Sequence, residues 1–236
     1  MGLGGGFLIV PLFVIVLNLP IHVAVGLSLA SVAATAFSSF IIYALRRLVN
    51  FKLGLFLEAS TVIGALISSN IAIYLKGEII EVIFAVVLFY TAYKMFKHTP
   101  IHEDDPKMKS ISSGRWILGS LGAFAAGFAS GMLGIGGGLL KVPIMVLVLS
   151  TPMRTAIATS MFMISITAPT AASTYVLHGL VSPDLLLAGV IGAAAGAQAG
   201  SRVSLRTGTR ILRKIFSLLL VVFAAMMLFK GLGLLS

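Results

Sequence analysis

The sequence contains no cysteine and little charge: 10% of its 236 residues are Asp, Glu, Lys or Arg, and only 7 are acidic. The lack of cysteine excludes disulfide bonds, cysteine-ligated metals and thiol nucleophiles. The sequence also lacks an HExxH motif, a cluster of carboxylates and any Ser, His and Asp pattern typical of hydrolases. We therefore predict that the protein is not an enzyme and that it needs no metal or other cofactor.

What the chain has in abundance is apolar surface. Hydrophobic residues make up 58% of it, and the mean hydropathy is +1.09. Long apolar stretches with few charges are typical of transmembrane helices. The net charge of +10 would also suit a nucleic-acid-binding protein, but the basic residues lie between apolar segments, where the positive-inside rule places them. We therefore predict a multi-pass protein of a bacterial or archaeal cell membrane, with the lipid bilayer as its partner and no nucleic acid.

The chain contains an internal repeat. The segment GLGGGFLIVP at residues 2–11 returns as GIGGGLLKVP at residues 134–143. The same offset aligns the rest of the first half with the second half without a gap, so that Tyr43, for example, matches Tyr175. A duplicated membrane protein with glycine-broken segments is typical of transporters.

Predicted helices divide the chain into two transmembrane repeats, 1–96 and 116–236, joined by a polar cytoplasmic linker at 97–115. In each repeat, the glycine run opens an arm that is too short to cross about 30 Å of hydrocarbon. Three apolar segments of spanning length follow each arm, at 23–45, 53–75 and 79–96, and at 155–177, 185–203 and 211–229. The predicted fold class is all-α, a polytopic transmembrane helical bundle.

One segment of the second repeat has no counterpart in the first. Residues 116–133, rich in Gly and Ala, precede the second glycine run, whereas the first repeat starts almost at its own run. We therefore expect the first repeat to lack its first half-helix. Either the sequence begins inside that helix, or the protein has lost it.

The charged loops predict opposite orientations for the two repeats. Basic residues concentrate in the loops at 46–52, 94–115 and 202–214. The loops at 177–184 and 76–81, which match the first and third of these, carry few, so equivalent loops fall on opposite sides of the membrane. The region 116–150 must then cross an even number of times, as a re-entrant hairpin or as two full crossings. We predict two inverted repeats, each with a glycine-broken re-entrant hairpin and three full spans.

The two glycine runs are candidate binding elements. Irregular backbone inside a membrane must be buried in protein or line a cavity, because lipid cannot bond to its amides. Inverted hairpins would bring their tips together near the middle of the membrane, and each helix start offers free N–H groups to an anion. One such run could equally serve close helix packing, but two copies favour a site. Its candidate residues are Gly4, Gly5, Gly6, Gly136, Gly137 and Gly138.

Single residues in and near the arms add to this site. Lys141 follows the second run in an otherwise apolar arm, and an intramembrane cation is functional by default. It would be a counter-charge for an anionic substrate, unless its side chain extends to the cytoplasmic surface. We also expect Pro11 and Pro143 to kink the two arms.

Hydroxyl side chains recur on the helices that follow the arms. Ser28 and Thr35 of the first repeat match Ser160 and Thr167 of the second. Such a face can line a path for an oxyanion, or its hydroxyls can bond to carbonyls of their own helix. Glu58 is a lone carboxylate in a predicted span; it could carry a proton, but a partnered structural carboxylate or a position near the helix end is the favoured interpretation.

The segments quoted above point to a known family. The first glycine motif followed by LNLPIHVAVGLSLASV, and the second copy in GFASGMLGIGGGLLKVPIM, resemble the TauE/SafE family of sulfite exporters. The resemblance covers nearly the whole chain. It implies an integral membrane transporter of small sulfur-containing or organic anions, such as sulfite, thiosulfate or sulfoacetate, and no residue here selects one of them.

Two classes of function stay open at this point. The first is a secondary transporter of a small anion, coupled to protons or sodium since no ATP site is visible, whose halves rock around the site. The second is a non-transporting membrane subunit or assembly factor, and a channel is a weaker third. Polar side chains that converge with both tips would favour transport, whereas Leu, Val and Phe in that place would favour a structural role. The sequence leaves the oligomeric state open.

Overall fold

The computed structural model describes the backbone at residues 5–97, 113–206 and 209–234, and side chains at 5–93, 114–196 and 218–234. Within these ranges the chain is helical. The first repeat contains α1 (Gly6–Ile15), α2 (Ile21–Leu45), α3 (Phe51–Tyr74) and α4 (Gly77–Lys97). The second contains α5 (Ser113–Leu133), α6 (Gly138–Pro143), a π-helical turn (Ile144–Val148), α7 (Met153–Leu177), α8 (Pro183–Arg206) and α9 (Thr209–Gly231). Gly4 and most of the predicted linker lie outside the described residues.

The helices agree in part with the predicted pattern of spans. In the described part of the chain, α2, α3 and α7, which are three of the six predicted full spans, are long and apolar enough to cross a membrane. α5 is also long and apolar enough, although it was expected to be one arm of a re-entrant hairpin. α8 and α9 contain shorter apolar stretches at Pro183–Gly196 and Leu218–Gly231. α1 has 10 residues, and α6 with its π-helical turn is about as short, so neither arm reaches across a bilayer.

Both short arms begin at a left-handed glycine. Gly5, with φ 77°, precedes α1, and its repeat mate Gly137, with φ 74°, precedes α6. Glycine adopts this conformation without the penalty that a Cβ imposes, so the runs can turn sharply into a helix. The helix continues through Pro11 in α1, whereas Pro143 marks the change from α- to π-helical bonding. A π-helical turn relieves the clash that proline causes in an α-helix.

The hairpin of the second repeat closes on itself. Near the start of α5, Arg115 donates to the carbonyl of Val148 at 2.6 Å and to the hydroxyl of Ser150 at 2.7 Å. Gly119 faces Leu149 in the same region. The two arms of the hairpin therefore enter and leave at the same end of the molecule, which is what the charge pattern of the loops requires.

Helices that match in the repeat pack on one another. α2 packs on α7, and α4 packs on α9. The remaining repeat mates, α3 and α8, each pack on a helix of the opposite repeat: α3 packs on α7, and α8 packs on α2. α3 also has an extensive contact with α5. Gly64 and Gly127 allow the close approach of α3 and α5, since a Cβ at either position would collide with the backbone of the other helix.

The distribution of polar residues is that of a membrane protein. Large hydrophobic side chains such as Leu45, Tyr74 and Leu177 are 80–84% exposed, whereas Glu58 and Lys141 are buried. Lipid rather than water is the solvent that suits this exterior. Together with the apolar helices, it supports a multi-pass membrane protein.

Candidate functional site

The two glycine runs meet in the interior of the molecule. A Cβ at Gly6 would collide with the carbonyl oxygen of Gly134, so the two backbones touch and only glycine fits there. The hydroxyl of Ser28, on α2, lies at this junction, 2.7 Å from the carbonyl oxygen of Gly134 and 3.4 Å from that of Gly6. Ser28 therefore donates to the backbone at the junction and helps to hold the tips together.

The second run is enclosed by helices of both repeats. Gly136 faces Val32 of α2 and Ile164 of α7. A Cβ at Gly137 would lie 3.3 Å from the Cβ of Ser130, on α5, and 3.3 Å from the Cε of Lys141. The second tip is thus lined by apolar side chains on one side and by a hydroxyl and a cation on the other.

Lys141 forms a buried ion pair with Glu58. Its Nζ lies 3.3 Å from Oε2 of Glu58 and donates to Oγ1 of Thr167 at 2.7 Å. The Thr167 hydroxyl in turn donates to Oε1 of Glu58. These three side chains come from α6, α3 and α7, so the ion pair links the hairpin of the second repeat to a helix of the first.

The pair is closed to the surroundings. The side chain of Lys141 is 1% exposed and that of Glu58 is 4% exposed. Lys141 therefore does not extend to the surface, and Glu58 is a partnered carboxylate. Removing each charge from water costs several kcal/mol, and the partner charge and the hydrogen bonds must offset this cost. Each charge is consequently stable in this place only while it has a counter-charge.

The predicted hydroxyl residues have different surroundings. Thr167 belongs to the charged cluster, and Ser28 belongs to the junction of the tips. Thr35, half-buried on α2, donates to the carbonyl of Val32 in its own helix at 3.0 Å. Ser160 is buried on α7. The structure therefore brings Thr167 to Lys141 and does not bring Thr35 to a charged side chain.

Ser130 is a candidate residue that the sequence analysis missed. Its hydroxyl is buried and has no hydrogen-bond partner among the described residues. It lies on the last turn of α5, beside Gly137 and Lys141. Its position four residues before Gly134 was the available signal, but the segment has no repeat mate, so the comparison of the two halves did not highlight it.

The charged cluster, which takes residues from both repeats, has no charged counterpart at the matching positions. The residues that match Lys141, Thr167 and Glu58 are Ile9, Thr35 and Val190. A cation with two neighbouring hydroxyls suits an anion, because all of them can donate hydrogen bonds. In the part of the chain that the structure describes, no group of three or more His, Asp or Glu side chains could hold a metal ion.

Comparison with known proteins agrees with this architecture. The family model described as sulfite exporter TauE/SafE matches residues 1–227. A "probable membrane transporter protein YunE" of Bacillus subtilis is 28% identical, covering 98% of this chain and 92% of its own length. A "probable membrane transporter protein" of Xylella fastidiosa is 24% identical, covering 98% and 89% respectively. No solved structure matches the chain significantly. Because the family model covers nearly the whole chain, this protein belongs to the sulfite exporter TauE/SafE family of membrane transporters.

Proposed function

We propose that the protein is a secondary transporter that carries a small anion, a sulfur oxyanion or an organosulfonate, across the cell membrane. The observation that carries this proposal is Lys141, a fully buried lysine beside a glycine-broken tip, with hydroxyl groups around it. An anion at Lys141 would receive the cation as counter-charge and hydrogen bonds from nearby donors. The proposed substrate class is supported by the description of the family, sulfite exporter.

The binding site that we propose lies at the second tip. Lys141 supplies the charge, the hydroxyl of Thr167 is already bonded to it, and the unpartnered hydroxyl of Ser130 faces the same glycine. The backbone of Gly136, Gly137 and Gly138 forms the wall of the site. An opposite wall stays a prediction. Its residues would be Gly4, Gly5, Gly6, Ser28 and Thr35 of the first repeat and Ser160 of the second.

Alternating access would be provided by two inverted repeats. The packing of α2 on α7 and of α4 on α9 supports this, because mates related by a pseudo-two-fold axis meet at that axis. The crossed contacts of α3 with α7 and of α8 with α2 support it further. The closed environment of Lys141 corresponds to a state from which the anion site must open toward one side of the membrane at a time.

A ligand-binding experiment tests the function directly. The purified protein in detergent is heated with sulfite, sulfate, thiosulfate, sulfoacetate or chloride, and its apparent Tm is measured. We expect one sulfur anion to stabilise the protein by about 2.7 kcal/mol at a concentration one hundredfold above its Kd. The shift should vanish in Lys141→Ala, because the counter-charge for the anion is lost, while the variant still inserts into the membrane.

Lys230→Ala is the matched control. Lys230 is half-buried on α9 and donates to the carbonyl of Val14 at 3.0 Å, so its removal deletes a lysine without touching the site. This variant should keep the anion-dependent shift. An equal shift in Lys141→Ala and the wild type would remove Lys141 from the site. No shift with any anion in the wild type would favour the non-transporting role.

A further inference from the structure

Lys141 already has an anionic partner in the structure, because its Nζ lies 3.3 Å from a carboxylate oxygen of Glu58. A substrate anion that takes Lys141 as its counter-charge competes with Glu58 for the same ammonium group. The substrate and the ionised Glu58 side chain would then share one cation in a site that excludes water.

The charge balance of the buried site decides whether the substrate anion and an ionised Glu58 can occupy it together. With Lys141 and Glu58 both ionised, the site is neutral. Adding a singly charged anion makes it negative by one unit, and a desolvated net charge is strongly disfavoured. Binding one proton at Glu58 restores neutrality, and the protonated carboxyl can still donate to an oxygen of the anion or to a neighbouring hydroxyl.

We infer that Glu58 is the proton-binding group that couples anion transport to the proton gradient, with one proton bound for each anion. This inference rests on the proposed function, because it assumes that the anion binds at Lys141. The empty carrier holds the Lys141–Glu58 pair, and the loaded carrier holds Lys141 with the anion and a protonated Glu58. Anion and proton therefore move in the same direction.

The surroundings of Glu58 favour this group as the proton site. α6 contributes Lys141, and α7 contributes Thr167. Among the described residues, the two helices that pack on α3 each have one charged side chain, Arg115 near the start of α5 and Arg154 at the start of α7. Arg115 donates to Val148 and Ser150, and Arg154 precedes Thr167 by more than three helical turns of α7. Lys141 is the charged side chain that is bonded to Glu58.

Protons fit the site better than sodium ions do. Sodium would need several oxygen ligands and would stand beside the ammonium group of Lys141, which repels it. A proton needs one carboxylate oxygen and removes the negative charge in place. The repeat does not generate a second copy of the charged pair, since the positions that match Lys141 and Glu58 are Ile9 and Val190. The expected stoichiometry is accordingly one proton.

Proteoliposomes that contain the full chain test the coupling with 35S-labelled methanesulfonate, and with 35S-labelled isethionate if methanesulfonate is not a substrate. Both probes are sulfonates that carry a single negative charge throughout the range from pH 6 to pH 8, unlike sulfite. The membrane potential is clamped at zero with potassium and valinomycin. An outside pH one unit below the inside pH should then drive about a tenfold accumulation of the label, since one pH unit is a tenfold ratio of protons. A sodium gradient without a pH gradient should drive none.

Glu58→Gln separates coupling from transport. Glutamine resembles the protonated carboxyl, so this variant should still exchange labelled for unlabelled anion across the membrane, but should lose the pH-driven accumulation. Glu81→Gln is the control, because Glu81 is a buried glutamate on α4 that lies against Gly231 of α9; it should accumulate the label as the wild type does. If Glu58→Gln fails to fold, a pH-sensitive dye in wild-type vesicles still counts the protons that enter with each anion.

Each result has a distinct meaning. Anion exchange in the wild type without pH-driven accumulation would overturn the coupling while the transport function stands. Equal accumulation in Glu58→Gln and the wild type, or accumulation driven by sodium, would overturn the role of Glu58. An absence of exchange for both probes and for every anion of the binding screen would overturn the transport function, and the coupling with it.

Discussion

At the scale of single residues, the hydroxyl of Thr167 connects the two charged side chains of the site. It accepts a hydrogen bond from Lys141 and donates one to Glu58, so it lies between the two opposite charges. Its repeat mate Thr35 has a bond within its own helix instead. The same residue type therefore has different roles in the two halves, because the positions that match Lys141 and Glu58 are the apolar residues Ile9 and Val190.

Replacing Thr167 by valine should weaken the site. The substitution keeps the shape of the side chain and leaves Lys141 and Glu58 with one hydrogen bond fewer each. Leaving such buried groups unsatisfied costs about 1–3 kcal/mol, so the apparent Tm should fall and anion exchange in proteoliposomes should slow.

Two variants control for this change. Thr167→Ser keeps the hydroxyl and should retain most of the activity. Thr170→Val removes a hydroxyl that donates only to Ile166, one turn earlier in α7, and should change exchange little. If Thr167→Val transports as fast as Thr170→Val, the hydroxyl between the charges is not part of the site.

At the scale of the elements, small residues set how closely the helices approach. α3 and α5 touch through Gly64 and Gly127, so their backbones are in contact rather than separated by side chains. Close approach of this kind is a principal source of helix association in a bilayer, where burial of apolar surface gives little. The position of Glu58, on α3, depends on this contact.

Alanine at Gly64 and at its repeat mate Gly196 should have opposite effects. A Cβ at Gly64 would collide with the carbonyl of Phe124 on α5, so Gly64→Ala should force α3 and α5 apart and lower the apparent Tm. At Gly196 on α8 an added Cβ would meet no described atom within 4 Å outside its own helix backbone and chain neighbours, and Gly196→Ala should be neutral or stabilise by up to about 1 kcal/mol through helix propensity. Thermal unfolding of both variants in detergent checks this, and an equal loss in the two would contradict the packing described for α3.

At the scale of the whole molecule, the proposed alternating access depends on the predicted inversion of the repeats. Lys52 and Asp184 are repeat mates near the starts of α3 and α8, and both are exposed. The inverted arrangement predicts that they lie on opposite sides of the membrane. Because the chain has no cysteine, it is a clean background for labelling.

A membrane-impermeant maleimide measures the side of each position. We expect Asp184→Cys to react in intact cells and Lys52→Cys to react only after the membrane is permeabilised. The unsubstituted chain, which cannot react, is the control for background labelling. Reaction of both variants from the same side would rule out inverted repeats.

Much of the fold could be predicted from the sequence, and the site only in part. The helices after the arms, the short arms themselves and the contact between the glycine runs agree with what the repeat and the hydropathy predict. Ser130 was missed because its segment has no copy to compare with. Thr35 was expected to resemble Thr167, but Ile9 and Val190 give it no charged partner.

The sequence alone determined that this is a duplicated, helical membrane protein of its family, because composition, apolar run length and the repeated glycine motif are local properties of the chain. Only the tertiary structure decided which polar residues meet. Lys141 and Glu58 are 83 residues apart and lie in different repeats. Either could have faced a neighbouring carbonyl or the membrane surface. Their pairing follows from the packing of α3, α6 and α7, and no pattern within one segment encodes it.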